Sequence, residues 1–210
     1  CVSNVHTTVM AHDNPGYRNV QNSAAIALPD GKPLSVVSRK RGYTEAERVT
    51  GPDLMGELFA RKNGLKHFFY GDKEETLQIL QQKLKEKYPN IQIAGMISPP
   101  FRSLSQEEEK AYIQQINDSG ADIVWIGLGA PKQENWMYEH QGMLHGVMIG
   151  VGAGFSYHAG LIKRAPKWMQ KMSLEWFYRL MQDPVRLFKR YFTTNLKFML
   201  LEAKDKGEAL

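Results

Sequence analysis

The sequence predicts an α/β fold built on a doubly wound, mostly parallel sheet with a C-terminal helical appendage. Two observations carry that prediction. Short apolar, β-branched runs alternate along the chain with helix-period stretches of roughly 10–15 residues, the pattern of parallel strands joined by crossover helices. Strand signals stop near residue 165, and only helical patterns follow. The expected division is a sheet domain over residues 1–165 and a basic appendage over 166–210.

Six segments read as strands. Cys1–Ser3 looks like the end of one, and Ala24–Leu28, His67–Tyr70, Ile91–Met96, Asp122–Leu128 and Gly146–Val151 are the others. Between them Val5–Asn22 has helical period, with a break expected at Asn14-Pro15-Gly16. Thr50–Asn63 places Leu54, Leu58 and Phe59 on one face, and Glu74–Tyr88 does the same with Leu77, Leu80 and Leu84. Ser105–Ser119 opens on a capping-box pattern, Ser105 followed three residues later by Glu108. Pro131–Gln141 starts with proline where a first helical residue is expected. Two further helices are expected at Pro166–Asp183 and Pro184–Lys204, because Pro184 disfavours helical geometry at Asp183. The second carries an apolar stripe of Leu187, Phe188, Tyr191, Phe192, Phe198 and Met199, flanked by Arg186, Lys189, Arg190 and Lys197.

Composition narrows the functional classes. At 42% hydrophobic and 23% charged, the 210 residues are those of a globular chain, not a disordered one. A lone cysteine excludes an internal disulfide framework and a cysteine zinc cage. No run of 18 apolar residues exists to span a bilayer. The chain opens on Cys1, without a basic-plus-apolar leader, and the expectation is a piece with a little chain missing upstream.

The charge is lopsided. The whole sequence carries 27 Lys and Arg against 22 Asp and Glu, a net of +5; residues 161–210 hold 11 against 5, a net of +6. The rest is therefore nearly neutral. Trp168, Trp176, Phe177, Tyr178, Phe188, Tyr191, Phe192 and Phe198 share the basic tail. Nucleic acid, an anionic membrane surface and a phosphorylated substrate all suit such a segment, as does a solvated helix face beside a docking stripe. Nucleic acid is disfavoured, since neither a stacking motif on a sheet nor a recognition helix is visible.

In an open α/β sheet, ligands bind beyond the carboxyl ends of the strands. Those positions hold Asn4, Pro29-Asp30-Gly31, Gly71-Asp72, Ser98–Arg102, Gly129–Glu134 and Gly152–Phe155, which are expected to converge on one rim. Asp30 is the leading acid–base candidate: a carboxylate held at a strand end in a closed cleft can act as general base. A turn aspartate bonding its own backbone is the alternative. Gly129-Ala130-Pro131-Lys132-Gln133 places glycine, a cation and an amide at a helix N-terminus, a setting for an anion, and Gly150-Val151-Gly152 repeats the glycines on the next strand. Neither completes a dinucleotide fingerprint. No His-Glu-x-x-His or Asp-x-Asp occurs, so no divalent metal or other cofactor is expected.

Several ordered segments carry a resemblance. They are Gly129-Ala-Pro-Lys-Gln-Glu-Asn-Trp136, Gly150-Val-Gly-Ala-Gly-Phe155, Ala159-Gly160, Arg164-Ala-Pro-Lys-Trp168, Leu174-Glu-Trp-Phe-Tyr-Arg-Leu180 and Asp183-Pro184 with Arg186, Arg190 and Tyr191. Upstream, Asn4, Leu28-Pro-Asp-Gly31, Arg48-Val-Thr-Gly51 and Pro99-Pro-Phe101 fit the same pattern. The chain resembles the WecG/TagA/CpsF family of bacterial glycosyltransferases over nearly its whole length.

The resemblance implies a Rossmann-like domain and a C-terminal helical appendage. It implies inverting, metal-independent transfer of an N-acetylmannosamine-type sugar from a UDP-sugar to a polyprenyl-diphosphate-linked acceptor, in cell-surface polysaccharide synthesis. Asp30 would be the general base, and Gln133 and Asn4 the pocket amides. Arg179, Arg186, Lys189 and Arg190 would close over the diphosphate. Arg48, Gly71, Gly129, Lys132, Gly152 and Ser156 complete the expected substrate-binding set. Expected partners are the donor, the lipid-linked acceptor and an anionic membrane surface at the cytoplasmic face, with a homo-oligomer left open. Many members carry Thr where this chain has Val2, and Asp where it has Ser156. Those departures motivate an alternative, a noncatalytic nucleotide-sugar-binding or scaffold protein of a polysaccharide assembly complex.

Overall fold

The computed structural model describes residues 1–61 and 64–204. Its elements begin with β1 (Val2–Ser3), α1 (Val5–Asp13), α2 (Pro15–Asn22), β2 (Leu28–Pro29), α3 (Lys32–Lys40) and α4 (Gly51–Ala60). They continue with β3 (Lys66–Gly71), α5 (Glu74–Lys87), β4 (Gln92–Ile97), α6 (Gln106–Asp118), β5 (Ile123–Gly127) and α7 (Lys132–Glu139). The last are β6 (Val147–Gly150), α8 (Gly154–His158), α9 (Lys167–Lys171), α10 (Glu175–Gln182) and α11 (Pro184–Lys204). The chain divides into two compact units, one formed by Cys1 and Gly51–Ile162, the other by Val2–Thr50 with the segment from Lys163 onward.

The first unit is the expected α/β layer structure. Its four strands lie in the order β4-β3-β5-β6, all parallel. Alternate residues of the central strands face opposite layers, as the two-residue period of a strand requires. Phe68 and Tyr70 of β3 and Val124 and Ile126 of β5 pack with Ile116 of α6 and with Trp136 and Met137 of α7. Phe69, Ile123 and Trp125 turn the other way, onto Met55 and Phe59 of α4, Leu77, Leu80 and Leu84 of α5, and Phe155 of α8. Each fully buried side chain of this size contributes about 1.5–3 kcal/mol.

Helix ends follow local chemistry. Ser105 caps α6 by accepting the Glu108 amide at 3.2 Å, while the Glu108 carboxylate accepts the Ser105 amide at 2.9 Å. Glu74 and Glu75 begin α5, and Lys85 and Lys87 end it, each sign matched to the helix dipole. Pro131 caps α7 instead of forming its first residue, so the helix starts at Lys132.

The connection after β3 leads to one side of that strand and β5 returns on the other, so the carboxyl ends of β3 and β5 form the topological switch point of this sheet. A glycine is required there. Gly71 has φ +128°, and a Cβ on it would stand 2.6 Å from the Gly127 carbonyl carbon.

The second unit differs from the expectation in four respects. Residues 2–50, read from the sequence as part of the sheet domain, cluster with the C-terminal helices. β1 and β2 pair in parallel with one another, Val2 opposite Leu28 and Ser3 opposite Pro29, forming a sheet separate from the four-stranded one. The strand expected at Ala24–Leu28 is displaced to Leu28–Pro29, because Ala25, Ile26 and Ala27 are exposed and have no sheet face to bury. Asn4 and Asp30 therefore end a two-stranded pair and do not share a sheet with the other strand ends. The helix expected at Pro166–Asp183 is interrupted at Ser173, whose φ of +62° separates α9 from α10.

Other expectations hold. Asn14 breaks Val5–Asn22 into α1 and α2, with its side chain accepting the Tyr17 amide at 3.1 Å. α1 packs on α2 and α11. Lys197–Asp13 at 2.6 Å and Arg41–Glu202 at 3.0 Å lie on the same unit's surface, where such pairs add at most about 1 kcal/mol.

His67 sets an acid limit on the first unit. It is buried, with Phe59 edge-on at 5.2 Å, and its Nδ1 accepts the Trp125 indole N–H at 3.2 Å. Burial pushes its pKa from 6.5 down to about 4. The unfolded chain therefore binds this proton at higher pH than the folded one, and the stabilising effect is complete above 6.5 and lost as pH falls toward 4. The melting temperature is expected to drop across that window, and His67→Phe should flatten the drop in calorimetric scans.

Candidate active site

The first unit assembles one group of predicted residues at the switch point. Beyond β5 the chain passes through Gly129, whose missing Cβ would point into open space, and enters α7 at exposed Lys132. Gln133 is buried. Its Oε1 accepts the Gly152 amide at 3.0 Å and its Nε2 donates to Glu134 Oε1 at 2.8 Å, so the turn after β6 is tied to the first turn of α7. The Gln133 amide closes the loop onto the Gly129 carbonyl at 3.0 Å. A helix N-terminus with a cation on its first turn favours an anion such as a phosphate.

Beyond the neighbouring strand β3, the Ser156 hydroxyl of α8 donates to Asp72 Oδ2 at 3.1 Å, and Asp72 Oδ1 accepts the Lys73 amide at 2.8 Å. The Asp72 amide donates to the Gly127 carbonyl at 3.1 Å. Gly71, Gly129, Lys132, Gln133, Gly152 and Ser156 thus belong to one hydrogen-bonded end of the sheet. Asp72 was visible in the sequence only as the residue after Gly71, and was not among the predicted site residues.

The second unit holds the rest. The Asp30 amide donates to Ser3 O at 2.6 Å, which fixes Asp30 beside the start of α1. Gly31, with φ +130°, caps α3 directly behind it. Asn4 caps α1: its Oδ1 accepts the His6 and Thr7 amides at 3.0 and 3.2 Å, while Thr7 Oγ1 accepts the Asn4 amide at 2.9 Å. The side-chain carbonyl is committed to the helix, and the Nδ2 amide is the donor Asn4 can offer a ligand.

The cations are held in different ways. Arg48 pairs with Glu175, whose other oxygen accepts Arg164 Nε at 3.2 Å, so two guanidinium groups share one half-buried carboxylate. Arg179 lies half-buried on α10. Lys189 lines an apolar groove of about 500 Å³ with Phe177, Leu180, Met181, Val185 and Phe188. Arg186 lies on α11, its side chain outside the described residues. Arg190 stands over the Tyr191 ring at 5.4 Å.

His6 is a residue the sequence reading missed. Its Nδ1 and Arg190 Nε are buried, and among the described residues neither has a hydrogen-bond partner. Burial first, and the Arg190 charge second, hold the His6 pKa below its ordinary value. Its signal was position alone, two residues after Asn4 in the first turn of α1. Among the described residues no three His, Cys, Asp or Glu side chains gather as metal ligands, and no helix is long and apolar enough to cross a membrane.

Residues 1–209 match the family model described as the glycosyl transferase WecG/TagA/CpsF family. The chain belongs to this family. It is also 34% identical over 173 residues to the N-acetylglucosaminyldiphosphoundecaprenol N-acetyl-beta-D-mannosaminyltransferase of Bacillus subtilis (strain 168), a match covering 81% of this chain. The chain spans 66% of that relative's length. In this WecG/TagA/CpsF member, the Arg48–Glu175–Arg164 cluster joins the residue-48 loop to the appendage helices. Glu175→Ala is expected to lower stability by about 1–3 kcal/mol, because it leaves two guanidinium groups facing each other in a half-buried site. Urea unfolding of wild type and variant measures the difference.

Proposed function

We propose that this protein is an inverting, metal-independent glycosyltransferase of cell-surface polysaccharide synthesis. It moves an N-acetylmannosamine-type sugar from a UDP-sugar to a polyprenyl-diphosphate-linked sugar. The observation that carries the reading is the family match over residues 1–209, and the Bacillus subtilis relative, named for moving N-acetylmannosamine to a polyprenyl-diphosphate-linked sugar, supports the same transferred sugar and acceptor class.

The chemistry divides among the residues described. Asp30 takes the proton of the acceptor hydroxyl as that oxygen forms its bond to the anomeric carbon. The bond from that carbon to the UDP oxygen breaks, UDP leaves with the electron pair, and the configuration inverts. The amides at the start of α7 and Lys132 are the first unit's candidates for meeting charge on the departing diphosphate, and Arg179, Arg186, Lys189 and Arg190 are the second unit's. Such electrostatic stabilisation is commonly the largest catalytic effect, with general base catalysis adding roughly 10²–10⁴-fold. Asn4 and Gln133 orient polar groups of the substrates.

The acceptor's lipid gives the appendage a second task. Trp176, Phe177, Met181, Val185, Phe188 and Phe192 are exposed on α10 and α11 beside Lys189. This face suits the cytoplasmic surface of an acidic bilayer, where each cation contributes on the order of 1 kcal/mol.

Asp30→Asn should lower UDP release in the presence of acceptor at least a hundredfold, leaving UDP affinity and melting temperature unchanged; near-normal turnover overturns the base assignment. Transfer should persist in excess EDTA. UDP binding without any release would favour the noncatalytic alternative. Deleting residues 166–210 would strip α11 from α1, so membrane docking is better tested by substitution. Phe188→Ser with Phe192→Ser and Lys189→Glu should cut co-sedimentation with phosphatidylglycerol vesicles several-fold, and undiminished sedimentation counts against the docking face.

A further inference from the structure

We infer that Asp72 is a donor-recognition residue, its carboxylate accepting hydrogen bonds from a pair of hydroxyls on the nucleotide sugar. The inference rests on the donor class proposed above, and it concerns a residue that takes no part in the chemistry there.

Position comes first. Asp72 follows Gly71 at the carboxyl end of β3, beside the switch point where open α/β sheets hold their ligands. Its amide is bonded to Gly127 O at 3.1 Å, so it adjoins the loop that leads through Gly129 to the anion-favouring start of α7.

Conformation comes second. Asp72 has φ +58°, a left-handed backbone in which non-glycine residues are uncommon. The surroundings hold it there. Its carbonyl accepts the Ser98 hydroxyl at 2.8 Å, and its two carboxylate oxygens accept the Lys73 amide and the Ser156 hydroxyl. A carboxylate has about four acceptor positions, so two stay open after those bonds.

Chemistry decides the ligand group. An acceptor-only carboxylate repels phosphate and cannot be the cradle of the diphosphate. It is matched instead to donors, and beside one acetamido N–H the donors a nucleotide sugar carries next to its diphosphate are the hydroxyls of ribose and of the hexose, which alone come as adjacent pairs that one carboxylate can span. Ser156 thereby becomes a positioning residue, acting through Asp72.

The test is isothermal titration of the full chain with UDP, 2′,3′-dideoxy-UDP and UDP-N-acetylmannosamine. Asp72→Ala is expected to weaken UDP-N-acetylmannosamine binding about tenfold or more, as loss of a charged hydrogen-bond acceptor does. Ser156→Ala should weaken it about two- to fivefold, with recovery in Ser156→Thr. If Asp72→Ala weakens UDP but leaves dideoxy-UDP as in wild type, the hydroxyls are those of ribose. If the loss appears only with the sugar-bearing donor, they are those of the hexose. Asp72→Asn, which tolerates the same backbone, stands in should the alanine variant not fold, and is expected to lose affinity in the same pattern. Binding of all three ligands within twofold of wild type by a folded variant overturns the inference and leaves the proposed function intact. Failure of the wild-type chain to bind UDP overturns both.

Discussion

Gly71 and Gly127 approach so closely that no side chain could stand between them, and the organisation of the first unit depends on that contact. It lets the ends of β3 and β5 lie side by side at the place where the chain reverses direction across the sheet. From there each strand delivers its following loop outward, one into Asp72 and the other into Gly129 and α7. The aromatic and aliphatic side chains behind them, Phe68 to Tyr70 and Val124 to Ile126, fill both faces of the sheet. The loops at this end of the sheet therefore rest on a floor that cannot readily yield. Rigidity of this kind holds polar groups in a fixed geometry without cost at the moment of reaction.

The second unit is organised by charge as much as by apolar contact. Glu175 draws Arg48 and Arg164 onto one carboxylate, and Lys197 and Arg41 reach acidic partners at Asp13 and Glu202. All of these bonds except Arg164–Glu175 join segments that are more than a hundred residues apart in sequence. They also sort the basic residues of the appendage. Some are consumed in holding the unit together. Arg190, which stands over the Tyr191 ring, and Lys189, which lines an apolar groove, take no part in those pairs. The net charge of the tail alone could not make that distinction.

Much of this was legible in the sequence, for reasons that particular residues make plain. Leu77, Leu80 and Leu84 recur at helical spacing and do cover one face of the sheet; Ser105 and Glu108 do form the capping box their spacing describes. Asn14 does divide two helices. What misled was short and exposed structure. Ala24–Leu28 has the composition of a strand, yet a parallel pair only two residues long has no layer to bury it, and pairing slides to Leu28–Pro29. α3 is short and carries only Leu34, Val36 and Val37 as apolar residues, too few to announce a helical period. The break at Ser173 depends on a left-handed residue that is not glycine. At the site, strand-end positions such as Asp30 and Gly129 could be found by counting along the chain. Asp72 falls to the same count, but its standing, like that of His6, could not be read there, because their surroundings are built from residues distant in sequence.

The same interleaving bears on how the chain is made. Residues 51–162 contain all four strands of the larger sheet and the helices α4–α8 that cover it, so that unit is complete once its last residue leaves the ribosome. Residues 2–50 emerge earlier, but α1 packs on α11 as well as on α2, and α11 lies downstream of the whole first unit. The earlier segment thus acquires its last partner only after the unit that follows it. Until then the α1 side chains that α11 will cover are a part of the nascent chain that a chaperone has reason to hold.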